Sequence, residues 1–154
     1  MPKFKFKLET VLRVKTRVED LRKRELQEAE YRRNQARKQL ERRQAEVAET
    51  VELYRANFKQ NLDVNSITNY HKFLLWLDKQ VELATMHLDQ CEKEVTEKRQ
   101  RLVEASKERK ILEKLQEKAF EVFKAEELNA EIKFLDELGT GRFVRQDANE
   151  RGGS

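Results

Sequence analysis

Residues 74–123, LLWLDKQVELATMHLDQCEKEVTEKRQRLVEASKERKILEKLQEKAFEVF, decide the fold. Leu74, Leu77, Val81, Ala84, Leu88, Cys91, Val95, Lys98, Leu102, Ala105, Arg109, Leu112, Gln116, Ala119 and Phe123 follow one another at alternating steps of three and four without a slip. Seven heptads in one register give one apolar stripe along a helix, the pattern of a left-handed coiled coil. Only Lys98, Arg109 and Gln116 interrupt it, and their long stems cover apolar surface while their heads reach water.

Outward from this stretch, the chain from Lys3 to Leu138 contains neither proline nor glycine, 136 residues without the two strongest helix breakers. Pro2 precedes it and Gly139, Gly141, Gly152 and Gly153 follow it. With 40% charged and 38% hydrophobic residues, the composition suits long helices with wet faces and a thin seam. Such a shape has no place for a water-excluded pocket, so a binding or mechanical role is expected and an enzyme is not.

Upstream, Leu26, Ala29, Arg33, Ala36, Leu40, Gln44, Val47, Val51, Tyr54 and Phe58 form a second seam with one stutter near Leu40, and Phe4, Leu8, Val11, Leu12 and Val18 extend it less regularly. Between the seams, Asn61 to Asn69 is rich in Asn, Asp and Ser, which favour caps and turns. Asn65 or Ser66 is the expected N-cap. The fold expected is therefore all-α, a long antiparallel two-helix coiled-coil hairpin: first helix 1–60, turn 61–69, second helix 70–138, disordered tail 139–154. A homodimer of continuous helices is the rival. The hairpin satisfies both seams within one chain and predicts a monomer in isolation.

Pairing Phe58 with Tyr70 puts residue i of the first arm near 128 − i of the second, with Phe4 opposite Lys124. Residues 124–138 then overhang by about 20 Å. They carry Leu128, Ile132, Leu135 and Leu138 on one side with Phe134 nearby. An apolar stripe without an internal partner predicts an external one; folding back on Phe4 and Phe6 is the alternative. Near the turn, Tyr54, Phe58, Tyr70, Phe73 and Trp76 cluster. Phe73, Trp76 and Gln80 share a face distinct from the seam, which suits either a partner surface or an end cap.

The formal charge is +4, yet residues 1–43 carry 15 Lys/Arg against 7 Asp/Glu. Acidic residues interrupt the basic runs and few aromatics interleave, so a solvated face or an acidic protein partner is expected and a nucleic acid is not. His71 and His87 lack neighbours at ligand spacing and no phosphate-cradling glycine loop exists, so no metal, cofactor or catalytic residue is assigned. Cys91 reads as a buried reduced thiol. The longest apolar run, Phe73–Leu77, is too short to span a bilayer, and the start lacks the apolar core of a signal peptide, so a cytoplasmic location is expected.

The opening Phe4-Lys5-Phe6-Lys7-Leu8-Glu9 with Val11-Leu12 and Lys15 resembles the start of the FliJ family of flagellar export proteins. So do Tyr70-His71-Lys72-Phe73-Leu74 with Leu77, the stretch Lys107–Leu115 with Glu117-Lys118, and Glu131 with Leu135-Asp136-Glu137. The resemblance implies a component of the bacterial flagellar type III export apparatus, a hairpin similar to the stalk of rotary ATPases. It also implies association with the export ATPase ring, the export gate and export chaperones at the inner face of the cell membrane. On that basis Leu8, Leu12, Leu128, Ile132 and Leu135 are expected to meet the ATPase ring, and Tyr54, Phe73, Trp76, Leu77 and Gln80 the gate. Phe73 and Leu77 match the family pattern; Trp76 enters for its off-seam position. A generic coiled-coil adaptor or chaperone and the equivalent stalk of a virulence secretion system are the alternatives.

Overall fold

The computed structural model describes residues 2–60 and 63–152. Two α-helices account for the fold, α1 (Glu9–Phe58) and α2 (Val64–Gly152), which pack against each other as an all-α hairpin. The chain divides into two units, residues 17–106 and residues 1–16 with 107–154.

Three limits differ from the sequence expectation. Helix α1 begins at Glu9, whose carboxylate in the first turn complements the positive helix end. Helix α2 begins at Val64, earlier than residue 70, because Asp63 caps it: its Oδ1 accepts a 2.8 Å bond from the backbone N–H of Ser66. Asp63, and neither Asn65 nor Ser66, is thus the N-cap. Asn61 and Leu62 of the expected turn lie outside the described residues. At the other end, helix continues through Gly139 and Gly141 to Gly152 where a disordered tail was expected. Glycine costs only about 1 kcal/mol in a helix, and without proline nothing here forces a stop.

In the unit of residues 17–106, cross-helix pairs fix an antiparallel register. Arg32 meets Glu94 at 2.6 Å, Arg37 meets Glu92 at 3.9 Å, Glu30 meets Arg99 at 3.9 Å and Asn57 meets Tyr70 at 2.7 Å. The paired numbers sum to between 126 and 129, close to the 128 expected; Glu25 with Lys98, at 4.0 Å, gives 123. On α2, Leu77, Ala84, Cys91, Val95 and Ala105 are buried. On α1 the buried apolar residues are Ala29 and Ala36, so the centre of the seam is built from small side chains.

The inward face of α1 departs from the sequence reading. Gln44 and Phe58 are exposed, while Arg43, Thr50 and Asn57 turn inward. Positions 26, 29, 33, 36, 40, 43, 47, 50, 54 and 57 keep the alternation of three and four, so there is no stutter. The apparent slip arose because three polar residues hold seam positions. Each has a local answer: Thr50 donates to the carbonyl of Glu46 at 2.7 Å, Arg43 bonds Glu46 at 3.0 Å, and Asn57 donates to Tyr70. Glu19 is also buried and pairs with Lys23 at 3.1 Å. The buried Nε of Arg33 finds no acceptor among the described residues.

In the second unit, the segment before α1 sets Phe4 against Phe120 and Phe123, ring centroids 5.2 and 5.5 Å away. Phe4 thus sits a few residues short of the Lys124 expected opposite it. Lys15 meets Glu108 at 2.9 Å. Beyond Phe123, every residue from 124 to 146 is exposed.

Candidate functional site

The first candidate surface lies in the unit of residues 17–106, near the α1–α2 connection. Phe73 and Trp76 sit one turn apart on α2, a step off the inward face defined by Leu74 and Leu77. Their rings stack, 5.9 Å apart at 18°. Phe73 is 46% exposed and Trp76 49%. The guanidinium of Arg43 lies 5.5 Å from the Trp76 ring, which ties this surface to α1 by a cation–π contact.

Tyr54 is half-buried between Phe58, at 5.9 Å, and Tyr70, at 5.5 Å and edge-on. Gln80 is half-buried. Leu77 is 0% exposed, so it offers a partner no surface and serves the seam beneath Phe73 and Trp76. Phe58 and Arg43 add to this surface. Sequence reading placed Phe58 both on the seam and in the aromatic cluster near the turn, and did not assign Arg43 to this surface.

The second candidate surface lies in the other unit. Leu8 joins Phe4, Phe6, Leu115, Ala119 and Phe123 around an open, largely apolar groove. Leu12 is half-buried. Leu128, Ile132 and Leu135 are exposed along one side of α2, at i, i+4 and i+7. Leu128 lies nine residues past Ala119, about 13 Å along the helix. Of the five residues expected at the ATPase ring, Leu8 lines an N-terminal groove, Leu128, Ile132 and Leu135 form an exposed helical stripe, and Leu12 lines neither.

Two carboxyls are held below their ordinary values. For Asp63 the cause is the Ser66 hydroxyl first and the Ser66 N–H second; for Glu25 it is the hydrogen bond from Arg22. His87 Nε2 lies 3.8 Å from Cys91 Sγ, and the described residues hold no group of three or more metal-ligating side chains. No helix among them is long and apolar enough to cross a membrane.

A family model described as flagellar FliJ protein matches residues 4–148, from the aromatic start that packs on Phe120 through the exposed stripe of α2. The chain belongs to the FliJ family. Membership makes it a component of the flagellar protein-export apparatus, in a family of non-catalytic export proteins. No curated protein and no solved structure matched the chain. In this FliJ-family hairpin the match spans both candidate surfaces.

Proposed function

We propose that this FliJ-family chain is the stalk of the export apparatus: its terminal patches engage the export ATPase ring, and the Phe73–Trp76 surface engages the export gate. Export chaperones bind elsewhere on the hairpin, and the chain works at the inner face of the cell membrane at the flagellar base. Family membership over residues 4–148 supports the setting. The observation that supports the ring assignment is the stripe of Leu128, Ile132 and Leu135, exposed in a stretch of α2 where every residue from 124 to 146 is exposed. Apolar stripes of this kind are covered by partner grooves at i, i+4, i+7 spacing.

A hairpin seated in a ring couples nucleotide turnover to the gate only if its contacts differ between ring states. Leu77 stays with the seam and is withdrawn from the gate surface. The test adds purified chain to the export ATPase and measures hydrolysis. The full chain raises the rate, and truncation after Phe123 abolishes the rise. A truncated chain that stimulates as well as the full one overturns the ring assignment.

A further inference from the structure

The outer face of α1 sorts its cations in an unexpected way. Between residues 13 and 43, Arg13, Lys15, Arg22, Lys23, Arg32, Arg37 and Arg43 each meet a carboxylate. Among the described residues, Arg17, Arg24, Lys38 and Arg42 have no ion pair, and all four are exposed. These four share one face. Arg17, Leu21, Arg24, Glu28, Tyr31, Gln35, Lys38 and Arg42 follow each other at steps of four and three, a continuous line on the side of α1 away from its seam. Leu21, 49% exposed, and Tyr31, 65% exposed, stand in that line. Glu28 is its only acid.

A row of free cations with two apolar anchors fits an acidic amphipathic helix, and the chain itself contains one. Residues 121–138 hold Glu121, Glu126, Glu127, Glu131, Asp136 and Glu137 against Lys124 and Lys133, a net charge of −4. All six carboxylates are exposed and have no ion pair among the described residues. They flank Leu128, Ile132, Leu135 and Leu138. Leu21 and Tyr31 are ten residues apart, as are Leu128 and Leu138, about 15 Å along either helix.

We propose that the outer face of α1 in one copy binds residues 121–138 of a second copy. The contact is electrostatically steered and lightly anchored, so it forms at high protein concentration and low salt, while the dilute chain is monomeric. It is heterologous, one surface meeting a different one, so it builds chains of copies and not closed pairs. The proposal stands whether or not the stripe also meets an ATPase ring, since no ATPase enters its test.

Sedimentation velocity of the full chain tests it. The weight-average mass rises with concentration at low salt, and the apparent association weakens at least about tenfold between about 50 mM and 500 mM NaCl. A chain carrying R17E, R24E, K38E and R42E no longer self-associates, nor does one carrying E126K, E127K, E131K and E137K. Mixing the two restores association, because each retains one native surface and each reversed surface has gained the complementary charge of the other. Circular dichroism verifies that helix content is kept, and glutamine versions at the same positions replace any reversed chain that loses it. A full chain that stays monomeric at low salt overturns the proposal. So does association that survives both reversals, or an α1 face whose cations bind only anionic vesicles or duplex DNA.

Discussion

The side-chain amide of Asn57 donates to the phenol oxygen of Tyr70 at 2.7 Å, across the two helices and within two turns of their connection. This polar contact at a seam position explains why a heptad pattern survives to the end of α1 without an apolar residue there. Tyr70→Phe removes the acceptor, leaves the half-buried amide unpaired and lowers the unfolding free energy by about 1 kcal/mol. Asn57→Ala costs a similar amount, and the double variant costs less than the sum, because the second change removes a group that no longer has a partner. Urea unfolding of the four proteins measures the coupling. Additive losses show that the bond contributes nothing.

The small residues of the seam set how closely the helices approach. Ala29 and Ala36 are buried and leave no room for a longer side chain, so Ala29→Leu or Ala36→Leu overpacks the seam and costs about 1–3 kcal/mol. Leu77→Ala opens a cavity at a fully buried position and costs about 2–5 kcal/mol. Tyr31→Ala on the exposed face stays within about 0.5 kcal/mol. Thermal unfolding followed at 222 nm ranks the variants. A neutral Ala36→Leu contradicts close packing there.

Much of this was legible from the residues. All fifteen seam positions named for the second helix, from Leu74 to Phe123, are buried or half-buried, because an unbroken apolar repeat leaves one way to bury it. The first helix was read less well. Apolar residues at 51 and 58 drew the seam one step aside, whereas Thr50 and Asn57 hold it through bonds to Glu46 and Tyr70 that only the fold reveals. The same limit applies at the surfaces. Sequence spacing separates Trp76 from the seam, but the position of Arg43 on its ring depends on the register between helices.

Acid should act on the start of α2. The Ser66 hydroxyl and N–H hold the Asp63 carboxyl below its ordinary value of 3.8. A depressed folded value means the cap's contribution is fully present above pH 3.8 and is lost as pH falls through the lower, folded value. Asp63→Asn keeps a capping oxygen that does not titrate in this range. The wild-type chain therefore loses stability relative to Asp63→Asn below about pH 3.8 and not above pH 5. Glu25, also held low, is common to both proteins and cancels in the comparison. Urea midpoints from pH 6 to pH 2.5 measure the difference; parallel curves throughout contradict the cap.

The Phe73–Trp76 surface and Leu77 beneath it separate recognition from folding. Trp76 is half exposed and its contact with Arg43 is worth about 0.5–1 kcal/mol, so Trp76→Ala costs about 1 kcal/mol of stability or less. If the surface docks on the export gate, a central aromatic behaves as a hot spot, and its loss weakens gate binding at least about tenfold. Phe73→Ala acts in the same direction. Arg43→Gln releases the Trp76 ring without removing it and weakens binding less. Leu77→Ala behaves in the opposite sense, with a large loss of stability and an unchanged affinity per folded molecule, since its side chain has no exposed surface. Titration of the cytoplasmic part of the gate with each variant, at a temperature where all are folded, reads both quantities. A Trp76→Ala chain that binds like the wild type removes the aromatic surface from the gate contact, whatever happens at the ATPase ring.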